Sequence, residues 1–137
     1  MNNYKHSEIT EKIIKAYYNV YNKLGFGFLE KVYENSMMIE LNKIGLNCVK
    51  QFPIKVIYDG VQVGEYFADI LVENSVIIEL KAGENLHPDH EAQLVNYLKA
   101  TEIEVGILLN FGTKPEFKRK VFSKEFKKQF SVNLKQS

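Results

Sequence analysis

Three charged residues near the middle of the chain carry the strongest chemical signal. Asp69, Glu79 and Lys81 lie in a segment that is otherwise mostly apolar. A hairpin turn centred on Asn74 places Asp69 directly opposite Glu79, and opposed residues of a hairpin project to the same side of the sheet. Lys81 lies two residues beyond Glu79 and therefore on that side as well. The spacing predicts two acids and one base together on one face.

Two facing carboxylates in an apolar sheet require a positive charge nearby. At about 4 Å two like charges repel by roughly 4 kcal/mol at an effective dielectric constant near 20, and burying an unpaired carboxylate costs more. Lys81 supplies one positive charge. A hard divalent cation that prefers oxygen ligands, such as Mg²⁺, would supply the rest. A buried charge network without metal is the simpler interpretation of any single acid, whereas the three residues together favour a metal site.

Two predicted helices bring further polar groups toward the same place. His90, Gln93 and Tyr97 lie close together on one face of a helix, beside its apolar side. For each residue alone, an exposed histidine or a core tyrosine is the simpler interpretation. Glu30 lies near the start of an earlier helix, where the helix dipole favours a carboxylate in any case.

The elements that position these residues follow from the hydrophobic pattern. Helical spacing of apolar residues predicts three helices, over residues 9–24, 29–44 and 88–100. Strand-like patterns predict four strands, over residues 46–58, 61–72, 76–80 and 104–110. Residues 116–122 fit either a last strand or a helix, and the final residues are expected to be frayed.

The order ααβββαβ predicts an α/β protein of α+β-like character, with a central mixed β-sheet flanked by helices. The last strand–helix–strand step crosses over right-handedly, which makes its two strands parallel in a sheet that begins as an antiparallel meander. The 137 residues contain no repeat and no linker. We therefore predict a single domain over 1–137, with a basic C-terminal tail from about residue 123.

The charge is unevenly distributed along the chain. Residues 1–113 hold ten lysines against fifteen acids, whereas residues 114–137 hold seven lysines and one arginine against two acids. Lys114, Lys118, Arg119 and Lys120 in this basic end could attract nucleic-acid phosphates, and a merely solvated basic face is the alternative. The apolar runs are too short to span a bilayer, and the first ten residues do not resemble a signal peptide. We expect a cytoplasmic protein that does not enter membranes.

Three segments together resemble the PD-(D/E)XK, restriction-endonuclease-like nuclease superfamily, and in particular its GxxExxY proteins. They are Gly27-Phe-Leu-Glu-Lys-Val-Tyr33, which matches the GxxExxY signature; Asp69 with Glu79-Leu-Lys81, which is similar to the metal-binding core; and Gln93-Leu-Val-Asn-Tyr97, which is similar to the QxxxY element of exonuclease-like members. The resemblance runs from the first helix to about Phe122. Ala68 stands where the superfamily name has Pro, at a position that is variable there.

The resemblance implies a restriction-endonuclease-like core and a nuclease that hydrolyses phosphodiester bonds with Mg²⁺ or Mn²⁺. DNA is the expected substrate, ahead of RNA as the second choice. It implies that the metal lies among Glu30, Asp69 and Glu79. Lys81 would orient or activate the attacking water and stabilise charge on the phosphate. Gln93 would position a phosphate or a water. The residues expected to support this site are Glu30, Tyr33, His90 and Tyr97.

Two other interpretations stay open at this point. The superfamily also contains members that bind without cutting, so the chain could be an inactive nucleic-acid-binding or assembly module on the same fold. The chain also holds more aromatic residues than a small core buries with ease, which favours a homodimer as a third interpretation.

Overall fold

The computed structural model describes residues 6–130, with side chains as far as Lys127. Within this range the helices are α1 (Ser7–Leu24), α2 (Glu30–Lys43), α3 (Pro88–Lys99) and α4 (Lys124–Phe130). The strands are β1 (Cys48–Tyr58), β2 (Val61–Val72), β3 (Val76–Lys81), β4 (Val105–Phe111) and β5 (Pro115–Val121). None of these helices combines the length and the apolar character needed to cross a membrane.

The five strands of the described chain form one sheet in the order β1-β2-β3-β4-β5. The strands β3 and β4 are parallel, and all other neighbours are antiparallel. The predicted mixed sheet with flanking helices is confirmed, and so is the parallel step across α3. Residues 115–121 form a strand, which settles the choice left open by their sequence.

The last described residues of the chain form a helix. The expected frayed end is helical over α4, while residues 131–137 lie outside the described residues. Lys127 is 5% exposed and donates hydrogen bonds to the carbonyl oxygens of Thr101 and Ile103. Contacts with a distant part of the chain therefore hold this helix.

Each face of the sheet has its own core. On one face α1 and α2 pack over a cluster that includes Tyr17, Tyr33, Ile70 and Ile78. On the other face α3 packs over a second cluster, with Leu94 and Leu98 against the sheet residues Leu71, Ile77 and Leu108. The sheet is therefore covered on both sides, as the apolar sequences of β3 and β4 require.

The regular alternation of β2 breaks at Asp69. Ala68 packs in the core beside α3, whereas Ile70 packs in the core beside α1 and α2. Residues two apart in a strand ordinarily share a face, so the chain turns over between them. On β1 the residue between the partners of Ala68 and Ile70 is Gln51, and its φ of 53° is left-handed. Such conformations cost free energy and cluster at functional sites.

Candidate active site

The two central acids meet where β2 and β3 stop pairing. The β2–β3 register ends with Ile70 opposite Ile78, and Asp69 and Glu79 are the next residues beyond this last pair. At this step side chains act as acceptors for the backbone. Asp69 N–H donates to Glu79 Oε2 at 2.8 Å, and Leu80 N–H donates to Asp69 Oδ2 at 2.7 Å. The carboxylates are therefore fixed against the opposite strand.

Burial makes these carboxylates hard to ionise together. Glu79 is 5% exposed, and its burial, reinforced by the charge of Asp69, raises its pKa to about 8. The pKa of half-buried Asp69 is also raised, first by burial and then by Glu34 and Glu30, although the hydrogen bond from Leu80 opposes the shift. Lys81 lowers both pKa values. The two acids therefore hold a proton more readily than ordinary carboxylates do.

The helix α2 brings two more acids to this place. Glu30 is its first residue and is exposed, whereas Glu34, one turn later, is 5% exposed. The side-chain amide of Gln51 donates to both carboxylate oxygens of Glu34, at 3.2 and 3.3 Å. The charge of Glu34 raises the pKa of Asp69 more than that of Glu30 does.

Sequence reasoning missed Glu34 and Gln51. Glu34 precedes Met37 and Leu41 by three and seven residues, so it lies within the buried stripe of its helix. A carboxylate in that stripe was a readable signal. The left-handed conformation of Gln51 had no such signal, because a glutamine within a strand pattern predicts ordinary extended backbone.

Tyr33 organises the loop that leads into Glu30. Its hydroxyl donates to the carbonyl of Gly25 at 2.7 Å and accepts the N–H of Phe28 at 3.2 Å. Gly27 within this loop has a φ of 110°, which favours glycine. Tyr33 is fully buried, so its place is to fix the loop and the start of α2. It is a positioning residue.

Lys81 ends β3 beside a loop that Asn110 clamps. Lys81 is half-buried and lies opposite Asn110 in the parallel register. The fully buried Asn110 side chain accepts the N–H of Gly83 at 3.1 Å and donates to its carbonyl at 3.0 Å. Sequence reasoning missed this asparagine, although a single amide at the end of the apolar β4 run is a signal. The clamp fixes the path from Lys81 toward α3.

The helix α3 presents the predicted polar stripe. Gln93 Nε2 donates to the hydroxyl of Tyr97 at 3.0 Å. Burial, then the charges of Glu79 and Asp69, raise the pKa of Tyr97 to about 12, so its hydroxyl stays protonated beside the acids. The Nδ1 atom of His90 accepts the N–H of His87 at 3.3 Å, in the cap of the helix.

Two sets of hydrogen bonds join elements of the candidate site directly, namely those between Asp69 on β2 and β3 and those between Gln51 on β1 and Glu34 on α2. A family model for the PD-(D/E)XK nuclease superfamily matches residues 7–120. The chain belongs to this superfamily. Its matched segment begins at the start of α1 and reaches into β5, so it includes every candidate acid as well as Lys81.

A solved structure shares the fold. The crystal structure of SSO0001 superposes with a TM-score of 0.52 at 21% sequence identity, over 84% of this chain. The chain spans 59% of the length of that structure. No curated protein matches the chain.

The four basic residues predicted to bind phosphate are divided between surfaces. Arg119 lies between Lys118 and Lys120 on β5, so its side chain projects from the face of the sheet opposite to theirs. Lys120 Nζ lies 2.7 Å from Glu91 Oε1 on α3, which places Lys118 and Lys120 on the α3 side. Lys114 is exposed in the turn before β5. The structure does not join all four into one strip.

The donor set suits a hard divalent cation, although the acids are not gathered as a finished metal cluster. Among residues 6–130, no three His, Cys, Asp or Glu side chains stand close enough together to hold an ion. Asp69 and Glu79 each use one carboxylate oxygen for a backbone N–H, which leaves the second oxygen of each as a donor. Carboxylate oxygens are the ligands that Mg²⁺ prefers, and it commonly keeps several waters.

Proposed function

We propose that this chain is a nuclease that hydrolyses phosphodiester bonds with Mg²⁺ or Mn²⁺. Its proposed substrate is DNA, with RNA as the second choice. The observation that carries the proposal is the hydrogen bond from the Asp69 N–H to Glu79 Oε2 at 2.8 Å, which brings the two acids together where Lys81 lowers the pKa of both. Membership of a nuclease superfamily supports the same conclusion.

Each residue of the site has a proposed role. Asp69 and Glu79 would hold the cation, with Glu30 approaching from α2, and a bound cation would supply Lewis-acid stabilisation of the phosphate and a more acidic water. Lys81 orients the attacking water and stabilises negative charge that develops on the phosphate oxygens. Gln93 positions a phosphate oxygen or a water, and its bond to Tyr97 fixes its amide.

Several finer statements belong to this proposal. The positive φ of Gly27 and the hydrogen bond from the Tyr33 hydroxyl to the same loop support a place among the GxxExxY proteins. We also propose a single domain that acts in the cytoplasm, contacts phosphates through Lys118 and Lys120, and pairs with a second copy through its exposed aromatic residues. Phe28 and Tyr58 are among these.

An inactive nucleic-acid-binding module is the second candidate. The observation that favours it is the hydrogen bonding of both central carboxylates to backbone N–H groups, which satisfies them in part without metal. In this case the acids would form a structural hydrogen-bond network that joins β2 to β3.

Calorimetric titration of Mn²⁺ paired with a DNA cleavage assay separates the two candidates. The variants are Glu79→Gln, which keeps an oxygen for the Asp69 N–H, and the matched control Glu65→Gln on the exposed part of β2. The nuclease proposal expects binding and cutting in the wild type and in Glu65→Gln, and neither in Glu79→Gln. A wild type that binds DNA, but does not bind Mn²⁺ and does not cut DNA, would establish the binding module.

A further inference from the structure

A groove runs beside the candidate active site, between the β1–β2 hairpin and α3. Its volume is about 560 Å³, within the range of roughly 300–1,000 Å³ typical of small-molecule pockets. Ile54, Val56 and Tyr66 form its wall on the hairpin, and Gln93 and Tyr97 belong to its wall on α3. The lining is largely apolar with a few amide and charged groups.

An aromatic surface is already fixed in this groove. The ring of Tyr66 lies 5.8 Å from that of Tyr97, at an interplanar angle of 44°. Tyr97 is only 6% exposed, whereas Tyr66 is 49% exposed. The buried ring therefore packs against the exposed one, and about half of the Tyr66 surface stays accessible where this residue lines the groove. A ring held in this way loses little side-chain entropy when a flat ligand stacks on it.

The groove and the candidate active site share three residues, His90, Gln93 and Tyr97. Gln93 and Tyr97 line the groove, and they are hydrogen-bonded to each other at 3.0 Å. Tyr97 also belongs to the same core cluster as Ala68, the residue before Asp69, and the charges of Glu79 and Asp69 raise its pKa. A molecule that lies in the groove is therefore a near neighbour of the carboxylates.

The chemistry of the lining matches a nucleobase. Tyr66 offers a ring for stacking, and the amides of Gln93 and Asn96 can donate to and accept from the polar edge of a base. Lys99 adds a positive charge on the lining, while the negative charge of Asp89 is on a side chain that is 90% exposed.

We propose that this groove binds an unpaired base of the substrate strand, next to the phosphate that lies at Asp69 and Glu79. The inference rests on the proposed function and narrows its substrate to single-stranded nucleic acid or to a frayed end. A base inside a duplex is stacked and paired on all sides and cannot enter such a groove without leaving the helix.

The test uses a single-stranded DNA about 12 nucleotides long, of the size that single-strand-binding folds cover, with 2-aminopurine at a central position. Stacking on an aromatic ring quenches the fluorescence of this base. The full chain is titrated in EDTA, so that the DNA stays intact, and the same oligonucleotide annealed to its complement is the second probe. The variants are Tyr66→Ala, Tyr66→Phe and the control Tyr58→Ala, which alters a 68% exposed ring of the same hairpin that does not line the groove.

The proposal expects quenching with the single strand and little with the duplex. Because stacking contributes about 1–3 kcal/mol per base, Tyr66→Ala should weaken single-strand binding by roughly 5- to 150-fold. Tyr66→Phe and Tyr58→Ala should bind like the wild type. Equal quenching in Tyr66→Ala, or equal quenching with the duplex, overturns the proposal.

The same variants keep this inference separate from the nuclease proposal. If the wild type cuts DNA with Mg²⁺ and Tyr66→Ala cuts single strands equally well, the groove has no part in binding, and the nuclease stands. If quenching depends on Tyr66 but no cutting occurs with any metal, the groove stands and the nuclease fails. A dimer in light scattering that Tyr66→Ala abolishes, without quenching, shows that the groove binds a second copy and overturns the proposal.

Discussion

Asp69 donates its backbone N–H to the carboxylate of Glu79 across the two strands, at 2.8 Å. The side chain of Glu79 on β3 thus accepts a backbone N–H of β2. This contact holds a buried carboxylate beside a second one that would repel it, and the repulsion is relieved by a proton, by Lys81 or by a cation. The stability of the fold is therefore coupled to the charge of the site.

Glu79→Gln should stabilise the protein at high pH. The pKa of Glu79 is raised on folding from 4.5 to about 8, so between these values the folded chain keeps a proton that the unfolded chain has released. The free energy of unfolding therefore falls as the pH rises through this window. At pH 8 to 9 the variant should exceed the wild type by on the order of 2–4 kcal/mol, with much less difference near pH 4.

Urea denaturation of both proteins at several pH values measures this difference. Added Mg²⁺ should stabilise the wild type at pH 8, because the cation replaces the proton as the neutralising charge. The stability of Glu79→Gln should not change with Mg²⁺. A difference between the two proteins that does not vary with pH would show that Glu79 ionises normally.

Gly112→Ala should displace the loop after β3. A Cβ atom at Gly112 would lie 2.6 Å from the carbonyl oxygen of Gly83 and 3.0 Å from that of Glu84, so backbone must move. We expect a loss of about 1–3 kcal/mol in stability and a loss of cleavage, because this loop joins Lys81 to α3. The matched control is Gly64→Ala, whose Cβ would have no neighbour nearer than 3.8 Å. Equal losses in both variants would contradict this account of the loop.

Tyr33→Phe should loosen the loop that leads into α2. The change removes one hydroxyl, which leaves the N–H of Phe28 and the carbonyl of Gly25 without this partner. The expected cost is about 1–2 kcal/mol, measured by thermal denaturation, with faster amide hydrogen exchange at Phe28. Tyr58→Phe, on a 68% exposed ring, should change neither quantity. Unchanged exchange at Phe28 would show that the loop does not depend on the Tyr33 hydroxyl.

Because of Lys127, the free energy of unfolding should increase as the pH rises from about 8 to 10.5. Burial lowers the pKa of this lysine from 10.5 to about 8, although Glu104 opposes the shift. Between these values the unfolded chain binds the extra proton, so the free energy of unfolding rises with pH, by at most about 1.4 kcal/mol per pH unit from this group. Lys127→Met should lack this increment, and Lys124→Met, on an exposed residue, should retain it. Parallel stability profiles for the wild type and Lys127→Met would contradict the buried position of Lys127.

The β2–β3 hairpin beside the candidate site could be predicted from the sequence because short-range rules determine it. A turn at Asn74 predicts the hairpin register, and the structure confirms that register over its three paired positions. The break in alternation at Asp69 could not be predicted from the two-residue period of strands. Glu34 was missed since its helix was interpreted through its apolar residues alone. Asn110 was missed since its partner, Gly83, is 27 residues away.

The end of the chain was harder to predict for a related reason. The strand β5 lies at the sheet edge with most of its residues half-buried, so it has no clear alternation of polar and apolar residues. The helix α4 depends on distant partners. Lys124 N–H donates to the carboxylate of Glu104 at 2.5 Å, and Lys127 reaches Thr101 at 2.7 Å. No local pattern announces such contacts.

The most direct test of the central claim is the rate of DNA cleavage as a function of Mg²⁺ concentration, for the wild type and for Lys81→Met. If Asp69 and Glu79 hold the cation and Lys81 acts on the water and the phosphate, the wild type cuts only when Mg²⁺ is present. Lys81→Met should then be slower by about 100- to 1,000-fold at saturating Mg²⁺. Cleavage by the wild type in EDTA, or equal rates for the two proteins, would contradict the claim.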